Sequence, residues 1–91
     1  MNKTQLIDAI AEKTGQSKAA VAAVVNATVE IVQEAVAAGD RVQIIDFGVF
    51  ERRYREARTA RDLRSGATVP VAARHVPAFK PGRGFKQVVG S

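Results

Sequence analysis

Between Glu51 and Arg74 the chain runs for 24 residues with only four large apolar side chains, Tyr54, Leu63, Val69 and Val71. Such a stretch cannot build a core. Its Thr and Val content still suits strands, and Arg64-Ser65-Gly66 near its centre has the composition of a turn, with Gly66 free to take a positive φ. Pro70 interrupts the returning half, which is tolerated where every strand is an edge, so the stretch reads as a two-stranded ribbon. In a chain of 91 residues this excursion leaves about 65 to form whatever core exists, at the lower limit for an independently stable unit. The chain is therefore expected to share its core with a second copy.

The flanking segments hold the core-forming residues. Asn2 followed by Gln5 has the form of a capping box, opening a helix that carries Leu6, Ile7 and Ile10 on one face and stops at Gly15. Ser17 is placed to cap a second helix running to about Ala38 and closed by Gly39. Val21, Val24, Val25, Thr28, Val29, Val32 and Val36 give that helix a broad apolar stripe. The period then shortens. Arg41–Ile45 reads as a strand, Asp46-Phe47-Gly48 as a turn, and Val49-Phe50 as the start of a second strand. Val76–Lys80 returns to strand composition, Pro81-Gly82 breaks it, and Arg83–Val89 is compatible with a short final helix. Phe47, Phe50, Phe79 and Phe85 flank the ribbon and are expected to meet. The expected class is α+β: a two-helix N-terminal base, a three-stranded antiparallel sheet with a long β-ribbon arm, and a short C-terminal helix. One domain spans 1–91, comprising a helical base and first strands (1–51), the arm (52–74), and a return strand with the last helix (75–91).

Charge divides the chain the same way. Residues 1–51 carry four cations against seven anions, net −3, whereas residues 52–91 carry ten against two, net +8. Arginine dominates the basic half, and its planar fork binds phosphate bidentately. Such asymmetry points to a polyanion, either nucleic acid or an anionic membrane face. A membrane-surface module would place its cations on amphipathic helices, but here the helical half is the acidic one. No membrane partner is expected: the longest unbroken apolar run, Ala19–Val25, has seven residues, against the ~20 of a membrane span. Residues 1–15 show no secretory pattern, so a cytoplasmic location is expected.

Catalytic and metal chemistry find little support. Without cysteine there are no disulfides, thiolate zinc sites or iron–sulfur clusters. The single histidine, His75, stands beside Arg74 and lacks the partners of a triad or a ligand set. Glu30 and Glu34, four apart, read as a solvated face rather than a metal pair, and Gly82-x-Gly84 lacks the strand–helix setting of a nucleotide loop. We expect no enzyme, no cofactor and no metal.

A ribbon rich in arginine fits a DNA groove, and here the motifs converge. Met1-Asn2-Lys3-Thr4 with Leu6-Ile7, the run Ile45–Glu51, Ala57-Arg58 with Arg61, and Val76–Gly82 together resemble the HU / integration host factor family of bacterial histone-like proteins over the whole length. The resemblance implies an intertwined dimer, homodimeric or paired with a paralogue, whose arms embrace double-stranded DNA through the minor groove. It implies bending and compaction with little sequence preference, a liking for bent, nicked or junction DNA, and association with the nucleoid. The residues it assigns to DNA contact are Arg53, Arg55, Arg58, Arg61, Arg64 and Arg74 on the arm, Lys80, Arg83 and Lys86 beneath it, and Lys3. It also assigns Leu63 as a wedge between base pairs. The alternatives are a site-specific subunit like integration host factor and a dimeric scaffold with weakened bending. Three positions depart from the family pattern. The tip reads Arg61-Asp62-Leu63 where Arg-Asn-Pro is usual, Asp46 stands where glycine is usual, and Pro81-Gly82-Arg83-Gly84 is unusually rich in breakers. Asp62 brings a negative charge close to phosphates, so kinking is expected to survive in weakened form.

Overall fold

A computed structural model describes residues 1–90. In chain order it contains α1 (Lys3–Thr14), α2 (Lys18–Ala37), β1 (Val42–Ile44), β2 (Gly48–Arg55), β3 (Arg58–Arg61), β4 (Thr68–Val71), β5 (Arg74–Pro81) and α3 (Arg83–Gly90). The chain divides into two compact units, one covering Met1–Glu34 and one beginning at Ala35.

In the first unit the capping box forms as expected. The Gln5 backbone N–H donates to Asn2 Oδ1 at 2.9 Å and the Asn2 N–H donates to Gln5 Oε1 at 2.8 Å, satisfying two otherwise orphaned groups. Gly15 ends α1 in the left-handed conformation, φ +73°, which glycine adopts without a Cβ penalty. Ser17 accepts from the Ala20 N–H at 3.1 Å and caps α2. Lys18 and Asp8 pair at 3.3 Å between the helices, but both are largely exposed and such pairs contribute little.

In the second unit α2 ends in a paired motif, Asp40 N–H to the Ala35 carbonyl (2.9 Å) and Gly39 N–H to the Val36 carbonyl (3.0 Å), with Gly39 at φ +92°. The antiparallel sheet has the order β1-β2-β5. The arm departs from an unbroken extension of this sheet. β3 and β4 pair as a separate two-stranded ladder, interrupted at Glu56-Ala57 on one side and Ala72-Ala73 on the other. Alanine has low strand propensity and too little side chain to hold a cross-strand pair, so the ladder lapses where alanines face each other. The expected aromatic meeting occurs: Phe47, Phe50, Phe79 and Phe85 lie with ring centroids 4.8–6.3 Å apart.

Asp46 and the glycine-rich segment before α3, both singled out in the sequence, lie against each other in the fold. Asp46 sits at φ +65°, a left-handed conformation that Asp tolerates better than most residues. Its carbonyl accepts from the Phe85 N–H at 2.9 Å, and the Phe47 carbonyl accepts from the Gly82 N–H at 2.8 Å, so the β1–β2 turn is tied to the start of α3. A Cβ on Gly84 would lie 2.9 Å from Asp46 Cβ and 3.2 Å from its Cγ. Glycine at 84 makes the room that an aspartate at 46 takes up. Gly84→Ala should therefore destabilise the protein by about 1–3 kcal/mol, as overpacking does. In an Asp46→Gly background the loss should be clearly smaller, because the Asp46 side chain supplies the 2.9 and 3.2 Å approaches while the 3.1 Å approach to its carbonyl stays, and alanine is the better helix former. Urea unfolding of the four proteins measures this, and equal losses in both backgrounds would contradict the coupling.

Very little of the chain is buried. Among the described residues only Ala11, Val21 and Val36 form a buried apolar set, while Leu6, Val29, Ile44, Phe47 and Phe79 are each 39–47% exposed. By length and mean hydropathy (1.4) α2 also meets the requirement for a membrane span, which the expectation from unbroken apolar runs did not register. Alanine and valine carry that average, while Asn26, Glu30, Gln33 and Glu34 interrupt it.

Candidate nucleic-acid interface

Strand alternation sorts the basic residues into faces. On β2, Val49, Glu51, Arg53 and Arg55 point one way and Phe50, Arg52 and Tyr54 the other. The register sets Val49 opposite Lys80, Glu51 opposite Ala78, Arg53 opposite Val76 and Arg55 opposite Arg74. Arg53, Arg55, Arg74 and Lys80 thus share one face of the sheet. Arg41 joins them, one step before Val42, which pairs with Phe50. Sequence reading passed over Arg41 because it lies in the acidic half. A period-two reading of both strands, with Asp46 as its pivot, is the signal that finds it.

Glu51 lies among these cations. Its Oε2 is 3.5 Å from Arg41 Nε, and its Oε1 is 3.1 Å from Lys80 Nζ and 3.7 Å from Arg53 Nη2. Oε1 is sealed from solvent and receives no well-directed hydrogen bond, so attraction between charges holds the cluster. The adjacent Lys80 ammonium keeps the Glu51 carboxyl below the usual carboxylate range, reinforced by Arg41 and Arg53 and opposed by desolvation.

Arg52 belongs to the opposite face. Its Nη1 donates to the Ala37 carbonyl at 3.1 Å, and its guanidinium lies 3.1 Å from where a Cβ on Gly39 would stand. It serves the C-terminus of α2, where a cation is favoured by the helix dipole. Of the six arginines in residues 52–64, this one is structural.

On the arm, Arg58 pairs with Val71 and Arg61 with Thr68. Three residues apart on one strand, they project from opposite faces of the ribbon. The tip is an ordered turn. The Asp62 N–H donates to the Ala67 carbonyl and the Gly66 N–H to the Asp62 carbonyl, both at 2.7 Å, with Gly66 at φ +71°. The Asp62 Oδ1 accepts from the Arg64 N–H at 2.9 Å, so its carboxylate is engaged in the turn. Leu63, next to it, is 97% exposed: an apolar side chain held out at the point of the arm. Arg83 and Lys86 lie three apart on α3, neighbours on one helix surface. Lys3, in the first unit, donates from Nζ to Asn26 Oδ1 at 3.0 Å, a neutral partner that leaves its charge uncompensated. Geometry thus gathers Arg53, Arg55, Arg74 and Lys80 on the sheet, and Arg58, Arg61, Leu63 and Arg64 on the arm.

The family model for bacterial DNA-binding proteins matches residues 1–90. HU-alpha of Vibrio proteolyticus is 49% identical over 89 residues, covering 98% of this chain and 99% of that one. HU of Geobacillus stearothermophilus is 46% identical with the same coverage. Among solved structures, the chain is similar to HU in an Anabaena HU–DNA cocrystal (TM-score 0.92, 42% identity, 98% of this chain and 97% of that one). It is also similar to HU from Thermotoga maritima (TM-score 0.69, 34% identity, 98% of each).

Proposed function

The chain belongs to the HU family of bacterial DNA-binding proteins, and from that premise we propose that it is a non-enzymatic architectural protein which binds and bends duplex DNA as a dimer. The observation that carries this reading is a cationic sheet face followed, beyond a break in the ladder, by an arm that bears Arg58, Arg61 and Arg64 and ends in an exposed leucine. A two-stranded ribbon fits a groove of duplex DNA, with arginines reaching phosphates and the minor-groove floor. Arg53, Arg55, Arg74 and Lys80, together with Arg83, Lys86 and Lys3, supply backbone contacts, which position without specifying sequence. Binding is accordingly largely sequence-neutral, and the protein is cytoplasmic and nucleoid-associated.

Exposure supports the dimer. Leaving Phe47, Phe79, Val29 and Leu6 as open as they stand forfeits about 25 cal/mol for each Å² of apolar surface, and a second copy with the same faces covers them symmetrically. Lipid is the poorer cover for α2. Glu30 is near the middle of that helix, where a carboxylate in hydrocarbon costs about 2.5–3.5 kcal/mol.

A gel-shift titration on intact and nicked duplex at two salt concentrations tests the reading; a folded dimer that retards neither DNA would leave only the scaffold reading. Leu63 provides a finer test. Opening a base step costs a few kcal/mol, and a flexible leucine loses about 0.5–1 kcal/mol of rotamer freedom on insertion. A wedge therefore gains most where the stack is already broken. Leu63→Ala should reduce both the bend angle, measured by energy transfer across a duplex of a few helical turns, and the preference for nicked over intact DNA. If neither changes, Leu63 is no wedge and bending rests on the arginines.

A further inference from the structure

By register, Glu51 is, among the described residues, the only acidic side chain on the cationic face of the sheet. Three strands bring cations to it: Arg41 before β1, Arg53 on β2 and Lys80 on β5, at 3.1–3.7 Å. The exposures differ in a telling way. The side chain of Glu51 is 16% exposed, whereas those of Arg41, Lys80 and Arg53 are 63%, 56% and 51% exposed. The carboxylate lies beneath and its partners lie outside it, able to turn outward without moving the strand that carries Glu51. One anion among three cations leaves the cluster net positive. Carboxylate and phosphate oxygens also accept from the same ammonium and guanidinium donors.

Resting on the reading of this face as a DNA surface, we infer that Glu51 is an internal competitor of phosphate. Its carboxylate fills the anion position of an Arg41–Arg53–Lys80 site that takes a DNA backbone phosphate, and so lowers affinity and blunts salt dependence. Pairs with partners this exposed are individually weak, so a phosphate displaces them; Glu51 tunes the site without closing it. Arg41 becomes a DNA-contacting residue.

Glu51→Gln keeps the shape and removes the charge. Affinity for an intact duplex at about 0.1 M monovalent salt should rise about 5- to 20-fold per dimer. The log–log salt slope should steepen by about 1–2, since each additional engaged cation adds roughly 0.9. In a Lys80→Gln background the gain should be clearly smaller. Unchanged or weaker binding by a cooperatively folded Glu51→Gln protein overturns the inference, as does an equal gain with and without Lys80. In the unsubstituted protein the carboxyl-carbon resonance of Glu51 should move when duplex is added and its cations leave; an unmoved resonance at saturation also overturns it. Failure of the underlying reading looks different, because the unsubstituted protein would then show little salt dependence on DNA at all.

Discussion

Raising monovalent salt from about 50 to 200 mM is expected to weaken duplex binding by roughly three to five orders of magnitude. The groups proposed for the interface are Arg and Lys almost without exception, so association should be driven mainly by release of counterions from the DNA. If about 6–10 phosphates are neutralised per dimer, the log–log slope lies near −5 to −9. Arg58 gives the corresponding local test. It stands on β3 opposite Val71, on a ribbon whose ladder pairing fixes its direction. Arg58→Ala should weaken binding to unrelated sequences by similar factors, because a backbone contact positions the protein and carries no sequence information. It should also make the slope shallower by about 1–2 per dimer, one contact being lost on each arm. Fluorescence titrations at four or five salt concentrations on two unrelated duplexes measure both quantities. A slope shallower than about −2 would mean that the basic half is not the interface. A loss confined to one of the two sequences would mean that Arg58 reads bases.

The second large effect concerns assembly. The protein is expected to be dimeric at low micromolar concentration and to unfold as it dissociates, since the single chain buries so little of its own apolar surface. Each tenfold dilution then removes about 1.4 kcal/mol of apparent stability, which for a folding unit of about 180 residues lowers the unfolding midpoint by roughly 3–6 °C. Val29→Glu should act far more strongly. Val29 belongs to the apolar stripe of α2 and is 47% exposed in the single chain. Twofold symmetry places the new carboxylate in the interface twice, and each unpaired buried charge costs several kcal/mol. That variant is expected to be unfolded at concentrations where the parent is a dimer. Sedimentation equilibrium showing a folded 9.7 kDa species, or a midpoint independent of concentration, would rule the shared core out.

Helix limits were legible because their signals are local. Asn2, Gln5, Gly15, Ser17 and Gly39 act on backbone groups within one turn of themselves, and each sits where the chain alone would place it. The strands, the turn at 46–48 and the aromatic cluster were legible as composition. The lapse of the arm ladder at Ala57 and Ala72-Ala73 was not, because it depends on which residues fall opposite one another. The acidic charge at the tip, expected to repel phosphate, is in the fold an acceptor for the Arg64 N–H, a contact between neighbours that charge counting ignores.

By itself, then, the sequence determined the α+β order of elements and the split between an acidic helical half and a basic ribbon, and it raised the expectation of a second copy. These follow from periodicity, net charge and the scarcity of core residues, which are properties of the chain before it folds. Only the tertiary structure decided where each arginine lies. Register placed Arg41 beside Glu51, Arg53 and Lys80, and turned Arg52 away to the end of α2. It also revealed that Asp46 and Gly84 share one space. Pairing across strands is a relation between distant segments, and a residue's partner there is set by how the ladder closes, which no local feature of its own neighbourhood encodes.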